Sequence, residues 1–149
     1  VLPVSTGTVM LNPCSRVAPP HDGAFWEPGA DVVTQADLLL ERLALSRAAC
    51  KPPARLAEFF RKYVGIFVVG KRMLYVNAVP RAATLAWEDA GFSKPGSWRD
   101  DPQVECDGGP FFWGGVVDPQ SQTVVSLQFS GIDGDMDGCV PADDSYRQR

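Results

Sequence analysis

The sequence predicts an α+β domain, with N-terminal helices packed on an antiparallel sheet of about four strands. Three observations carry this. A stretch with helical apolar spacing begins at Thr34. Two β-branched, aromatic hairpin patterns follow, one after the other. Helices first and antiparallel strands second imply a helix layer on one sheet face.

The elements follow in chain order. Residues 1–33 are rich in Pro, Gly and small polar residues and read as an ordered arm, with one short strand at Val9, Met10 and Leu11. Thr34 is placed to cap a helix, and Asp37 suits its first turn. Ala36, Leu39, Leu40 and Leu43 fall on one face, with Leu38 and Leu45 widening the stripe. Pro52-Pro53 ends this helix after Cys50. Pro53 also suits the start of a second helix, Ala54 to Lys62, with Leu56, Phe59 and Phe60 as its apolar side.

The period then changes. Tyr63 to Val69 and Met73 to Val79 form a hairpin around Gly70-Lys71, ended by Pro80. Residues 81–103 are less regular, with a short helix expected over Ala82 to Ala90. Val104 to Cys106 is a candidate strand leading into a second hairpin. Its arms are Phe111 to Val117 and Thr123 to Phe129, joined by Asp118-Pro119-Gln120-Ser121-Gln122. Asp-Pro starts a turn because Pro fixes φ and Asp bonds the backbone ahead. A helix followed by a four-stranded meander is similar to the cystatin-like architecture, an analogy that carries no activity.

With 149 residues the chain is expected to form one domain: an arm over 1–33, a core over 34–131 and an acidic tail over 132–149. A chain of this length buries about two-thirds of its unfolded surface. A net charge of −4 argues against general nucleic-acid binding, which needs clustered basic residues. Apolar runs such as Val64 to Val69 are too short to span a bilayer. The first residue is Val1, not Met, which fits a processed product whose signal peptide or lipid anchor preceded it. Arg61, Lys62, Lys71, Arg72 and Arg81 tint the first hairpin basic, read as a solvated face.

The four cysteines, Cys14, Cys50, Cys106 and Cys139, form no Cys-x-x-Cys pair. Their even number and wide spacing favour two disulfides in an oxidising compartment over four buried thiols. Three pairings are open. The preferred one joins Cys14 to Cys139 and Cys50 to Cys106, closing loops worth about 4 kcal/mol in the chain-entropy model.

Three features hold residues that scaffold alone does not require. Asp133, Asp135, Asp137 and Gly138 form Asp-x-Asp-x-Asp-Gly, with Asp144 at the twelfth position. Alternating carboxylates converge on a hard cation, so the run resembles an EF-hand-type calcium loop. It lacks flanking helices, which favours a solvated acidic tail; calcium is the one cofactor the sequence suggests. Cys106-Asp107 raises the idea of a hydrolase, but the single histidine, His21, lies in the arm, and a disulfide cysteine before a turn is favoured. Phe111 and Trp113 share one face of a strand and Phe112 the other. Together with Trp87 and Trp98 they are the candidate binding aromatics, with burial under the 81–103 loop as the simpler reading.

No nucleotide, Walker or Gly-x-Ser-x-Gly fingerprint is present in the sequence. The leading expectation is a non-enzymatic protein-binding module, an inhibitor or immunity-type protein. A calcium-stabilised adhesion module is the alternative, and a hydrolase using Asp107 or Cys106 the third.

Two stretches carry a resemblance. Tyr63-Val64-Gly65-Ile66, Gly70-Lys71-Arg72 and Tyr75-Val76-Asn77-Ala78 form the first; Cys106-Asp107-Gly108-Gly109, Phe112-Trp113-Gly114 and Asp118-Pro119 the second. Over residues 34–131 the chain resembles a family of small bacterial exported proteins or lipoproteins of unassigned activity. The resemblance implies a periplasmic or secreted location and a small α+β domain. It transfers no catalytic residue and gives the calcium-like loop no support.

Overall fold

The computed structural model describes residues 1, 4–14, 16–46, 56–104, 106 and 112–130, without the side chains of 44–46. The fold is α+β. Helices α1 (Gly7–Met10), α2 (Ala30–Ser46) and α3 (Arg81–Asp89) accompany strands β1 (Phe25–Trp26), β2 (Phe59–Val68), β3 (Lys71–Pro80), β4 (Trp113–Asp118) and β5 (Thr123–Phe129). The strands form one antiparallel sheet in chain order, β1-β2-β3-β4-β5. The expected hairpins are present as β2–β3 and β4–β5, and a two-residue strand adds a fifth.

Helix α2 starts at Ala30, four residues before the expected cap. The Gly29 carbonyl accepts the first helical bond, from Val33 N–H at 3.2 Å. Thr34 is interior: its hydroxyl donates to the Ala30 carbonyl at 2.8 Å, a back-bond within the helix. Asp31, not Asp37, is the acid of the first turn. Ala36 and Leu40 are buried, and Val32, Val33 and Leu39 pack beside them against the sheet. Leu38, expected on this stripe, is exposed.

The expected second helix is corrected. Leu56–Glu58 is a single 3-10 turn, and Phe59 to Lys62 belong to β2. Leu56, Phe59 and Phe60 have helical spacing, but β2 is buried on both faces, so its apolar residues need not alternate with polar ones. Phe59 and Tyr63 face α2 with Leu74, Val76, Ala78, Trp113 and Val117. Val64, Ile66, Val68, Met73, Tyr75 and Val116 face the other way.

That second face has its own cover. The expected strand at Val9–Leu11 is instead the end of α1, closed by Leu11 N–H bonding the Gly7 carbonyl at 3.0 Å. The turn of helix puts Met10 and Leu11, adjacent in sequence, both onto the sheet, where they are buried. The chain then returns as β1 along β2. Trp26 donates its indole N–H to the Ile66 and Met73 carbonyls, at 3.0 and 3.1 Å. Gly65 leaves the room for this: any side chain there would overlap Trp26.

One polar group fastens α2 to the sheet. Asp37 takes both an Nε and an Nη bond from Arg61, at 2.9 and 3.1 Å, and also accepts the Tyr63 hydroxyl. Burial and the Asp37 hydrogen bond push the Tyr63 phenol well above its usual range. Burial alone would lower the Arg61 guanidinium, but Tyr63 and Asp37 more than reverse this and raise it.

The first hairpin turns one residue earlier than expected, at Val69-Gly70, since Val68 pairs with Lys71. Val69 and Gly70 have φ of 50° and 72°, the two positive angles of a type I′ turn. Asp22 holds this turn, accepting Val69 N–H at 3.0 Å and Gly70 N–H at 2.7 Å. The second turn is as Asp-Pro implies: Asp118 accepts the Gln120 and Ser121 N–H groups at 2.8 and 3.1 Å. Burial works against its charged form, but these bonds and nearby Lys71 hold its carboxyl below the usual range. Helix α3 lies within one residue of the expected helix. Val104 does not form a strand, Glu105 is not among the described residues, and β4 begins at Trp113.

Val69 is β-branched, left-handed and 86% exposed, so its side chain adds strain and little packing. Val69→Asn keeps the turn and the Asp22 bonds while relaxing the backbone. It is expected to raise stability by about 1 kcal/mol in chemical denaturation; an unchanged or lowered midpoint would mean the turn is not strained at this residue.

Candidate binding surface

The sheet's second face carries a polar set between two segments that cover it. Lys62 and Asn77 lie opposite each other on β2 and β3. Arg16, from the N-terminal arm, reaches down to this pair. It donates to Asn77 Oδ1 at 2.6 Å, to Ser130 Oγ at 3.0 Å and, at 3.5 Å, to the Tyr75 hydroxyl. Gly114 lies beneath, where a Cβ would be 3.3 Å from the guanidinium carbon. From the other side, Asn77 Nδ2 donates to the Gln103 carbonyl at 2.7 Å, and Lys62 donates to the Asp101 carbonyl.

The two covering segments are joined covalently. Cys14 is disulfide-bonded to Cys106, with the Cα atoms 5.1 Å apart. This corrects the preferred pairing, in which Cys14 bonds Cys139 and Cys106 bonds Cys50. The arm does not reach for the tail; it crosses the second face and meets the segment entering β4. Cys50 and Cys139 lie outside the described residues. Cys106 therefore has no thiol to serve as a nucleophile, and Asp107 also lies outside the described residues.

Lys62 is only 3% exposed. Burial lowers its ammonium pKa to about 8, against the opposing charges of Asp101 and Asp100. Of the basic residues around the first hairpin, Arg61 and Lys62 are used internally, while Lys71, Arg72 and Arg81 are exposed, as expected of a solvated face. Arg61 pairs with Asp37, Lys62 is buried, Arg72 lies over Trp26 at 5.4 Å, and Arg81 over Phe60 at 4.9 Å.

The rim beside this face is aromatic. Trp98 stacks on Phe60 with centroids 3.7 Å apart, and Arg99 lies over Trp98 at 4.6 Å. Trp87, on α3, stacks on Phe112 at 6.0 Å. Helix α3 ends in a Schellman motif: Gly91 N–H bonds the Glu88 carbonyl and Phe92 N–H the Trp87 carbonyl, at 3.0 and 2.9 Å. Gly91 supplies the left-handed residue, at φ 77°. Such motifs commonly fold the apolar residue after the glycine back onto the last turn. Here Trp87 is occupied by Phe112, and Phe92 is left 84% exposed. The loop beyond is fixed by Gly96 N–H donating to Glu88 Oε1 at 2.8 Å. Leu85, also on α3, is exposed as well.

The four candidate aromatics thus separate. Trp113 is 3% exposed and packs 5.9 Å from Phe59, which puts it in the core facing α2 and not on a contact surface. Trp87 and Trp98 are half-buried on the rim. Phe111 lies outside the described residues, as do the calcium-loop candidates Asp133, Asp135, Asp137 and Asp144. Among the described residues no cluster of His, Cys, Asp or Glu is placed to hold a metal. No described helix is long and apolar enough to cross a membrane. Sequence reasoning missed Phe92 and Arg16. Ala90-Gly91-Phe92 did contain the helix-stop signal; nothing local marks Arg16.

No protein-family model, curated protein sequence or solved structure matches this chain.

Two outcomes are expected. Lys62 holds its proton less tightly folded (about 8) than unfolded (10.5), so the unfolded state binds more protons between those values. Stability should therefore rise from about pH 8 to about pH 10.5, and Lys62→Met should remove that rise in pH-dependent denaturation. A slope that survives the substitution would assign it elsewhere. The Cys14–Cys106 link spans 92 residues. Replacing both cysteines with serine should cost about 2–4 kcal/mol. Peptide mapping without reduction should recover the two cysteines in one cross-linked fragment.

Proposed function

We propose that this chain is a non-enzymatic protein-binding module of the bacterial cell envelope, of the inhibitor or immunity type, acting by protein–protein contact. The observation that carries the reading is Phe92. Its backbone is fixed by the Schellman bonds, so an aromatic side chain is held out in solvent on a pre-set support. With the backbone already fixed, only the Phe92 side-chain rotamers remain to be ordered when a partner covers it, which lowers the cost of contact at an aromatic of the kind that anchors interfaces. Leu85 and the half-buried rings of Trp87 and Trp98 supply apolar surface on the same stretch of chain. The Cys14–Cys106 disulfide supports an oxidising compartment. The resemblance to small exported bacterial proteins points the same way.

The test is capture of a partner from a bacterial envelope extract, with and without calcium, using the wild-type chain and Phe92→Ser. The wild type should retain a saturable partner, and Phe92→Ser should weaken it by about tenfold or more. Its melting temperature should stay near the wild type, since an exposed side chain contributes little to the fold. Recovery of no partner under any calcium condition would overturn the reading. Equal capture by both chains would remove Phe92 from it.

A further inference from the structure

We propose that β5 is a pairing edge that takes β5 of a second copy of this chain, joining two five-stranded sheets into one antiparallel ten-stranded sheet. This goes beyond the Phe92 contact and does not depend on it. Among the described residues no strand lies beyond β5.

The two edges of the sheet are built differently. At the other edge, β1 covers Gly65 and Ile66, and Asp22 N–H bonds the Phe67 carbonyl at 2.8 Å. Beyond β1, the strand β2 carries Arg61 and Lys62, charges of the kind that discourage edge pairing. Strand β5 has no such guard. Its sequence, Thr-Val-Val-Ser-Leu-Gln-Phe, holds no charge, no proline and no glycine over seven residues. Its one irregularity is a bulge opposite Val116/Val117, which leaves Ser126 to Phe129 in regular register.

The direction of its free groups follows from the ladder. Ser130 N–H bonds the Phe112 carbonyl at 2.7 Å, so Ser130 points toward β4. Backbone groups alternate along a strand, so Gln128 also points inward, while Leu127 and Phe129 present N–H and C=O outward. These are the groups a further strand would bond.

The occupant is argued from the strand itself. A twofold axis perpendicular to the sheet sets β5 antiparallel to its copy and keeps both α2 layers on one side. Because β5 is uncharged, the symmetry brings no like charges together. Val124, Leu127 and Phe129 are only partly buried against the α2-side core. Pairing would set those rims against each other and extend the apolar layer across the joint. The interface is small, so the dimer is expected to be weak.

The test measures the mass of the full chain in solution from about 1 μM to 1 mM, the range for a small interface, alongside amide hydrogen exchange. The wild type should shift from its 16.2 kDa monomer toward twice that mass as concentration rises. In step with this, the Leu127 and Phe129 amides should gain protection, while those of Gln128 and Ser130 are protected throughout. Ser126→Lys, which puts a charge on the uncharged edge of both copies, should raise the dissociation constant by about tenfold or more. Ser126→Thr should leave it unchanged, and matching melting temperatures show that both variants fold. A monomer at every concentration would overturn the proposal. So would a dimer that Phe92→Ser dissolves and Ser126→Lys does not, or one that leaves Leu127 and Phe129 exchanging freely.

Discussion

The β2–β3 hairpin is buried on both faces, and this constrains everything around it. Each strand is ten residues long, and side chains alternate across the sheet. Phe59, Tyr63, Leu74 and Val76 need cover on one side; Val64, Ile66, Met73 and Tyr75 need it on the other. A hairpin alone cannot meet that demand in water. One layer comes from α2, which directly precedes the strands. The other must come from chain segments far apart in sequence, the arm around Met10 to Arg16 and the stretch around Trp98 to Cys106. Bringing these together costs loop entropy that local contacts do not repay. The Cys14–Cys106 bond sits where that cost is greatest, between the two segments.

Each cover is also fastened by an arginine, and the two differ in kind. Arg61 meets a carboxylate, Asp37, in a two-point ion pair, and Tyr63 closes the group. Arg16 meets only neutral acceptors among the described residues: Asn77, Ser130 and Tyr75. Charge-assisted bonds to neutral groups repay only part of the desolvation of a half-buried cation. The second clasp therefore contributes more to register than to stability. It fixes where the arm crosses the sheet, because Asn77 and Ser130 accept the guanidinium from two different strands' ends. Lys62 beside it adds a second cation to the same layer, and burial weakens its hold on a proton. The second layer is thus the more costly one electrostatically, which makes the covalent link over it intelligible.

The parts that were legible in the sequence are those whose partners are close in the chain. The α2 stripe and both hairpins could be read because spacing and turn residues are local signals. Asp118 announced its turn through Asp-Pro. The failures arise where the local pattern misleads or where the partners are far apart in the chain. Phe59 and Phe60 looked helical because a doubly covered strand loses its polar alternation. Val9 to Leu11 looked like a strand because apolar neighbours suit one, whereas a helical turn lays Met10 and Leu11 on the same surface. Arg16 could not be found at all: its partners lie 59 to 114 residues away. The cysteine pairing failed for the same reason, since the route of the arm decides it. For the site, Trp87 and Trp98 were visible as aromatics in an irregular stretch. Phe92 was overlooked because its exposure depends on Trp87 already being taken by Phe112.

Two-sided cover also limits which surfaces of the sheet are left open to the proposed contacts. In a one-layer α+β sheet the face away from the helix is the natural contact surface, and Trp113 would not lie on it, because it packs on the α2 side. Here α2 and the disulfide-linked segments occupy both faces of the central strands, and Trp113 is enclosed between β4 and the core. Contact is left to the rims. The α3 side offers side chains, with Phe92 84% exposed on a backbone fixed by the Schellman bonds. The β5 side offers main-chain groups on an uncharged strand. These two rims follow different rules: a side-chain anchor is sensitive to a single substitution, whereas a backbone edge tolerates substitution and responds to charge. The two proposals place recognition and self-association on different rims, the first on the Phe92 side chain of the α3 side and the second on the Leu127 and Phe129 main chain of β5.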